Sequence, residues 1–328
     1  MTTRLLTALL LLLVGFGRSS ANEKDAQWIV VTPPAYRAAL APLCDQRRAD
    51  GLKVVIVETT DVLNAKQIKD GDARALRDHV HKLTRQSKGA SYVLLVGAVK
   101  SAADAEKTVV PPLKGEVNRM KEQPSDFGYA ATPEVAVGRF PARSVDDVKE
   151  MVKKTLAFEK DKAPGAWRNR MTLLVGNPGG SNAIERRFAE FFLQSVVGSR
   201  FDRVNPQWTG RAVIHSPQSP FCVPDDALRE VSRKLVEEGQ MLVLYLGHSG
   251  ASGLFSEKAA CLNRDDWGKM KIAHGGVFFS CGCFGCQLFG ADGEGYGIAA
   301  MRNPAGPVAV IGAHAESYGA MGQLAVDG

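Results

Sequence analysis

The sequence has few of the features that would place the protein in a special structural class. It carries no clustered basic tract, and its formal net charge of +6 comes from 41 basic and 35 acidic residues scattered over 328 positions. We therefore expect no nucleic-acid partner. No repeat of short period appears, and the chain is 45% hydrophobic. Such a chain is long enough for one large or two ordinary globular domains with substantial cores.

Long apolar runs are absent except at the start of the chain. Arg4 precedes an apolar core, Leu5 to Phe16, and the small residues Ser19–Ala21 follow it. The core is too short to span a bilayer comfortably, so we interpret residues 1–21 as a cleaved secretory signal and expect no stable membrane span. The mature chain is expected to begin near Asn22 and to be exported to the periplasm or the extracellular space.

A nucleotide-binding motif is also missing. The glycine-rich turn at residues 176–180 lacks the Lys-Ser/Thr pair of a P-loop and the spacing of a dinucleotide fingerprint. We therefore expect no cofactor.

The pattern that is present is an alternation of short apolar runs with segments of helical spacing. This alternation predicts an α/β fold with mostly parallel sheets, whereas residues 98–133 and the stretch that ends at Pro224 are expected to be irregular. A linker at residues 160–167 contains Pro164-Gly165 and predicts a boundary between two subdomains, residues 22–160 and 168–328. The strand candidates are residues 28–31, 53–57, 92–97, 135–137, 171–175, 241–246, 277–279 and 307–312.

Two of these runs end in residues that carry chemistry. Residues 241–246 are followed by Gly247-His248, and residues 277–279 lead into Cys281 and Cys283. Parallel sheets bind ligands at the carboxyl ends of their strands. We therefore predict that the two runs form parallel neighbours, which would place a nucleophilic thiol beside a histidine base.

Two other interpretations of the cysteines remain open. Cys281, Cys283 and Cys286, with His274 nearby in the sequence, could ligate zinc or another soft metal, although the spacing is not that of common zinc fingers. Alternatively, the cysteines are small core residues and the protein is a binding module without activity. The other three cysteines, Cys44, Cys222 and Cys261, are scattered, and an exported chain could form one or two disulfides among its six.

Several motifs together resemble the catalytic region of the gingipain family of cysteine peptidases. The resemblance covers residues 28–312 and implies a caspase-like three-layer α/β/α sandwich, a smaller amino-terminal subdomain, a His/Cys dyad in the carboxyl-terminal one, and a polypeptide substrate. The motifs that carry it are Tyr92–Gly97, Ser125-Asp126 with Tyr129, Val137–Phe140, Ala157–Glu159, Gly247-His248, the cysteine strand and Gly306–Gly312.

The resemblance assigns roles residue by residue. His248 is the general acid/base, and the backbone N–H groups of Ser249 and of the nucleophile are the oxyanion donors. The family's strand register favours Cys283 as the nucleophile, but a shorter register matches at Cys281, whose separation from His248 also fits. The chain departs from the family in two places. Ser249 replaces the usual glycine, and the turn at residues 177–180 has no carboxylate to support the histidine. The acidic residue that gives arginine-specific members their pocket has no clear counterpart, so the resemblance does not imply arginine specificity.

Overall fold

The computed structural model describes residues 25–99, 105–117, 120–176, 208–214, 219, 221–255, 260–290 and 292–317. The chain divides into two compact units, with the boundary between Lys153 and Lys154. The predicted signal at residues 1–21 and the turn at residues 177–180 lie outside the described residues. Within the described part of the chain, no helix is both long enough and apolar enough to cross a bilayer.

The amino-terminal unit is built on a four-stranded sheet. The strands of this unit are β1 (Gln27–Thr32), β2 (Lys53–Glu58), β3 (Ser91–Val96), β4 (Leu113–Val117), β5 (Met120–Ser125) and β6 (Ala136–Phe140). The sheet has the order β2-β1-β3-β6, and each neighbouring pair is parallel. β1 is buried along its whole length, as expected for a central strand that is covered on both faces. β4 and β5 form a separate antiparallel pair.

Helices of the amino-terminal half connect these strands. They are α1 (Arg37–Ala49), α2 (Thr59–Val62), α3 (Ala65–Asp70), α4 (Arg74–Gln86), α5 (Ala105–Thr108) and α6 (Val145–Lys160). α6 begins with a side-chain cap. The Ser144 hydroxyl accepts the Asp147 N–H at 3.1 Å, and the Asp147 carboxylate accepts the N–H of Arg143 at 2.7 Å. This cap satisfies backbone donors that the helix itself leaves unpaired.

The carboxyl-terminal unit contains a five-stranded sheet and a small antiparallel one. Its strands are β7 (Arg170–Val175), β8 (Thr209–Ile214), β9 (Gln240–Leu246), β10 (Ser249–Gly250), β11 (Gly253–Phe255), β12 (Ala260–Asn263), β13 (Gly275–Ser280) and β14 (Ala309–Gly312). The large sheet has the order β14-β13-β9-β7-β8 and is parallel throughout. Its helices are α7 (Leu228–Glu237), α8 (Arg264–Lys269) and α9 (Tyr296–Arg302).

The large sheet buries apolar side chains on both faces. On one face, Phe278 of β13 stacks on Trp267 of α8 with ring centroids 4.1 Å apart, and Tyr296 of α9 packs beside it. On the other face, a cluster that includes Leu173 of β7 packs against Leu244 of β9. Because consecutive strand residues point to opposite faces, a strand covered on both sides must be apolar at nearly every position. This is the physical reason why these strands could be identified as continuous apolar runs.

The prediction of an α/β fold with mostly parallel sheets is confirmed, but two stretches expected to be irregular form strands. β8 lies in the segment that ends at Pro224, and β4 and β5 lie within residues 98–133. β8 is an edge strand with an exposed first half, so it lacks a long apolar run. β4 and β5 are polar and pair with each other through their backbones, which no apolar pattern reveals.

Candidate active site

The candidate site lies at the carboxyl edge of the five-stranded sheet, where β9 and β13 end side by side. These two strands are parallel neighbours, and Val277 is aligned with Leu242. β9 ends at Leu246 and β13 ends at Ser280, so His248 and the cysteines that follow β13 lie at the same edge of the sheet. The strand pairing predicted from the sequence is therefore confirmed.

His248 is held through its backbone and presents its side chain to solvent. Its carbonyl oxygen accepts hydrogen bonds from the Tyr245 hydroxyl at 2.5 Å and from the Phe255 N–H at 3.1 Å. Burial raises the pKa of Tyr245 well above its ordinary value, so its hydroxyl remains a donor at neutral pH. Gly247 precedes the histidine with a φ of 145°, which glycine adopts without a Cβ clash. The exposed imidazole is therefore carried on a fixed backbone.

Three free thiols follow β13, and their surroundings differ. The N–H of Cys281 donates to the Tyr245 carbonyl at 3.0 Å, and burial raises the pKa of the Cys281 thiol to about 11. The Cys283 sulfur accepts the Ser317 N–H at 3.2 Å and lies 3.3 Å from the Ser317 carbonyl oxygen. Burial raises the pKa of the Cys286 thiol to about 12. Cys281 and Cys283 are thus the half-buried thiols that follow β13 most directly.

The structure separates His274 from the cysteines. His274 precedes β13 and the cysteines follow it, so the strand places them about 20 Å apart. The His274 ring stacks on Trp167 at a centroid distance of 4.7 Å, and its Nδ1 lies 3.8 Å from an Asp161 oxygen. The expectation that His274 could share a metal with Cys281, Cys283 and Cys286 is therefore wrong.

The described residues show neither a metal cluster nor a disulfide at the cysteines. Across the residues that the structure describes, no group of three or more His, Cys, Asp and Glu side chains is arranged to hold a metal ion. All six cysteines belong to the described residues, and all six are free. The disulfides considered from the sequence are therefore not formed in the structure.

Ser249 contributes a side chain to the site as well as the predicted backbone N–H. Its Oγ donates to the Cys283 carbonyl at 2.6 Å and accepts the Tyr296 hydroxyl at 3.3 Å. Among the described residues, Phe284 is the one non-glycine residue with a positive φ, 57°, so the backbone of Ser249 does not require the freedom of the glycine it replaces. Sequence reasoning missed this role because the partners of Ser249 lie far away along the chain.

Tyr245 was also missed, although the sequence contained a signal for it. It is the one residue with a hydroxyl in the apolar run of β9, and a buried tyrosine usually finds a hydrogen-bond partner. Its partners here are the carbonyls of His248 and Phe255. A Cβ on either Gly176 or Gly247 would lie within 2.8 Å of this hydroxyl, so the two glycines leave room for it.

The motif residues of the amino-terminal unit form a structural ion pair. Arg139 of β6 donates two hydrogen bonds of 2.7 Å to the Asp126 carboxylate, and its NH1 group also donates to the carbonyls of Gly97 and Val110. Burial opposes the charge on Arg139, but the adjacent Asp126 raises the pKa of the guanidinium above its ordinary value. The Tyr129 hydroxyl donates to the carbonyl of Pro111 at 2.7 Å. These residues hold the amino-terminal unit together.

Comparison with known proteins yields one relative and several solved structures. A segment of 164 residues is 22% identical to Gingipain R2 of Porphyromonas gingivalis (strain ATCC BAA-308 / W83). The crystal structure of the Arg-specific cysteine proteinase gingipain R is similar over 91% of this chain and 65% of that chain, with a TM-score of 0.67 and 18% identity. A complex of the pro- and mature domains of the Porphyromonas gingivalis enzyme gives a TM-score of 0.64 at 17% identity, over 88% of this chain and 64% of that chain.

These likenesses confirm the caspase-like α/β fold that the resemblance implied. The segment matched to Gingipain R2 is 49% of this chain and 21% of that relative, so the chain spans about a fifth of the length of the curated relative. The sequence model of peptidase family C25 matches residues 21–326. The family and the fold both support a cysteine peptidase, and the chain belongs to peptidase family C25.

Proposed function

We propose that this chain is a cysteine peptidase that hydrolyses peptide bonds through an acyl-enzyme, with His248 as its general acid/base. The observation that carries the proposal is the parallel pairing of β9 with β13, because it sets an exposed histidine and two thiols at one edge of one sheet. Nucleophile and base within reach of each other are what thiol catalysis requires.

Cys281 is our first assignment for the nucleophile. Phe279 is aligned with Leu244, and alternate residues of a strand share a face, so Cys281 and Leu246 extend that face to the edge. In the histidine loop, residues 247–250, Ser249 and Gly250 form the extended strand β10. The Ser249 hydroxyl contacts Tyr296 on the opposite face of the sheet. Neighbouring residues in an extended chain point to opposite sides, so we infer that His248 faces the side of the sheet that carries Cys281.

Cys283 is the second assignment. It has the family register in its favour, and its sulfur accepts the Ser317 N–H. The same sulfur lies 3.3 Å from the Ser317 carbonyl oxygen. The raised pKa of Cys281 means that its proton must be removed during the reaction, which is the role proposed for His248.

The proposed reaction has two halves. His248 accepts the thiol proton as the sulfur attacks the peptide carbonyl carbon, and the tetrahedral intermediate collapses when His248 gives that proton to the leaving amine. Water then attacks the thioester as His248 takes its proton, the acid product leaves, and His248 returns that proton to the sulfur. The N–H of Cys281 is bonded to the Tyr245 carbonyl. With Cys281 as nucleophile, the N–H of Ser249 would therefore be the principal oxyanion donor.

Labelling with iodoacetamide at pH 7, read out by peptide mass, tests the dyad. A histidine that takes the thiol proton should make one cysteine dominate the labelling, and His248→Ala should slow that labelling at least tenfold, since a positioned base accelerates such a step by about 10²–10⁴-fold. Cleavage of a diverse peptide library should disappear in the same variant. His79→Ala, which alters an exposed histidine on α4, is the matched control and should behave as wild type.

Cys281→Ala and Cys283→Ala assign the nucleophile, because one of them should abolish cleavage and remove the dominant label. A chelator added to wild type tests the metal alternative, which expects the thiols to be protected until metal is removed. Equal, slow labelling in wild type and His248→Ala, together with an uncut library, would instead indicate a binding module and end the enzyme proposal.

Export is the second part of the proposal, and it rests on the charged start, apolar core and small residues of positions 1–21. The polypeptide substrate would then be met outside the cytoplasm. Intact-mass measurement of the natural protein should give a chain that begins near Asn22. Retention of Met1 or Thr2 would contradict export by a cleaved signal.

A further inference from the structure

A line of hydroxyl groups lies beneath the candidate site. It joins the histidine loop to the segment that carries the three cysteines, residues 281–286, which we call the thiol loop. The Ser280 Oγ lies 2.6 Å from the Tyr296 hydroxyl, which lies 3.3 Å from the Ser249 Oγ. The line ends where the Ser249 Oγ meets the carbonyl oxygen of Cys283 at 2.6 Å. Ser249 is thus the contact between the two loops that carry the proposed base and thiols.

The direction of each hydrogen bond in this line follows from its last member. A carbonyl oxygen only accepts, so Ser249 must give its one hydroxyl proton to Cys283. Tyr296 must then donate to Ser249, and Ser280 must donate to Tyr296, while the Ser280 oxygen accepts the Gly282 N–H at 3.3 Å. Burial raises the pKa of Tyr296 above its ordinary value, so the tyrosine keeps the proton that this arrangement needs.

The peptide bond that receives this hydrogen bond precedes a strained residue. The carbonyl of the Cys283–Phe284 peptide accepts from Ser249, and the N–H of the same peptide donates to the Ala315 carbonyl at 3.0 Å. Phe284 has a φ of 57°, a left-handed conformation that persists in bulky residues only where the surroundings enforce it. Ser249 and Ala315 hold this peptide plane from its two sides.

Gly282 leaves the space that the Ser249 side chain occupies. A Cβ at position 282 would lie 2.0 Å from the Ser249 Oγ and 2.8 Å from its Cβ, whereas its next neighbour, the Gly247 carbonyl oxygen, is 3.1 Å away. The close approach of the two loops therefore depends on the absence of a side chain at Gly282 and on the hydroxyl of Ser249.

We propose that Ser249 is a positioning residue whose hydroxyl clamps the histidine loop to the Cys283–Phe284 turn and so fixes the distance between His248 and the thiols. The proposal rests on the proposed function, since a fixed distance matters only if histidine and thiol react together. The role belongs to the side chain and is separate from the oxyanion role of the Ser249 N–H.

The test compares Ser249→Ala with Ser249→Thr, which keeps the hydroxyl. Alkylation of the dominant thiol is measured against pH. Losing one hydrogen bond that holds a partly buried carbonyl should slow labelling at neutral pH about tenfold in Ser249→Ala. The inflection of its pH profile should also move toward that of His248→Ala. Ser249→Thr should stay within about threefold of wild type. A role in stability alone would lower the melting temperature and leave the inflection unchanged.

Gly282 supplies an independent test. Gly282→Ala should slow labelling more than Ser249→Ala, because the added methyl pushes the loops apart. In a Ser249→Gly background the same change meets only the Gly247 carbonyl, so Gly282→Ala should have a much smaller effect there. An equal effect of Gly282→Ala in both backgrounds, or a wild-type pH profile in Ser249→Ala, would overturn the proposal.

Failure of the clamp and failure of the peptidase proposal give different results. Amide hydrogen exchange at Phe284 should rise in Ser249→Ala and remain at the wild-type level in His248→Ala, whether or not the protein cuts peptides. If His248→Ala leaves the labelling rate unchanged but the Phe284 amide still loses exchange protection in Ser249→Ala, the clamp exists and the dyad does not. If Phe284 keeps its protection in Ser249→Ala, the clamp is refuted.

Discussion

The two parallel sheets end in edges of opposite character. At the carboxyl edge of the amino-terminal sheet, Arg139 is 5% exposed and is satisfied by Asp126 and by the carbonyls of Gly97 and Val110. At the carboxyl edge of the other sheet, His248 is exposed and the thiols that follow β13 are half-buried. The same strand arrangement thus supports a closed ion pair in one unit and accessible reactive groups in the other.

The difference shows what turns a sheet edge into a candidate site. Parallel strands bring loop residues together at their carboxyl ends in both units. In the amino-terminal unit Arg139, Asp126 and two backbone carbonyls satisfy one another, which contributes to stability. In the carboxyl-terminal unit the hydrogen bonds are made by the backbone of His248 and by Ser249, and the imidazole is left to react.

Breaking the ion pair between Arg139 and Asp126, at the carboxyl edge of the amino-terminal sheet, should have the largest effect on stability. Arg139→Met leaves the Asp126 carboxylate and two carbonyls without their donor, and removing one partner of a buried pair costs about 3–5 kcal/mol. We expect this loss in the free energy of unfolding of the amino-terminal unit, measured by urea denaturation and by hydrogen exchange in β3.

Arg48→Met is the control for this prediction, because Arg48 and Asp45 form an exposed pair whose loss should cost about 0–1 kcal/mol. If Arg139→Met and Arg48→Met are equally stable, the amino-terminal edge is not held by its ion pair.

At the carboxyl edge of the five-stranded sheet, Tyr245→Phe should weaken the support of the His248 backbone. This change removes the one hydroxyl proton that Tyr245 offers to the carbonyls of His248 and Phe255. The His248 carbonyl keeps the Phe255 N–H, so the change should cost about 1 kcal/mol, the net contribution of one intramolecular hydrogen bond. The free energy of unfolding of the carboxyl-terminal unit should fall by this amount, and labelling of the dominant thiol should depend less on His248. The control is Tyr92→Phe, at an exposed tyrosine of β3. Equal stabilities of the two variants would contradict the proposed support of the histidine loop.

A half-buried cation in the carboxyl-terminal unit, Lys154, can be compared with Arg139. Lys154 donates to the carbonyls of Met301 and Asn303, and burial lowers its pKa from 10.5 to about 8. Between these values the unfolded chain binds more protons than the folded one, so this group makes stability rise with pH over that window and lowers stability below it.

Lys154→Met removes this contribution. Relative to Lys154→Met, wild type should therefore gain about 1–2 kcal/mol in the free energy of unfolding between pH 8 and pH 10.5, since the two carbonyl acceptors offset part of the burial cost. The measurement is urea denaturation of both proteins across this range. Parallel pH curves for the two proteins would show that folding does not change the pKa of Lys154.

The smallest effects should come from two matched helix caps, one in each unit. Asn64 caps α3 and Asn263 caps α8, each in a reciprocal capping box. Replacing either by alanine should cost about 1 kcal/mol, measured as the loss of hydrogen-exchange protection in the capped helix. Losses that differ by more than about twofold would show that tertiary contacts, and not the caps, hold one of the helices.

The amino-acid sequence by itself determined the class of fold and the position of the candidate site along the chain. Buried parallel strands must be apolar on both faces, so β1, β9 and β13 could be recognised from neighbouring residues alone. The edge strand β8 and the polar pair β4–β5 could not, because their stability comes from strands that they pair with. His248 and the cysteines stood out because reactive residues directly follow buried strands.

Only the tertiary structure decided which distant residues meet. His274 lies near the cysteines in sequence but at the other end of β13, whereas Ser249, Cys283 and Tyr296 come from separate segments and share one line of hydrogen bonds. The pairing of Arg139 with Asp126 has the same origin. Local patterns follow from the chemistry of adjacent residues, but hydrogen bonds between side chains far apart along the chain exist only once packing has brought them within about 3 Å.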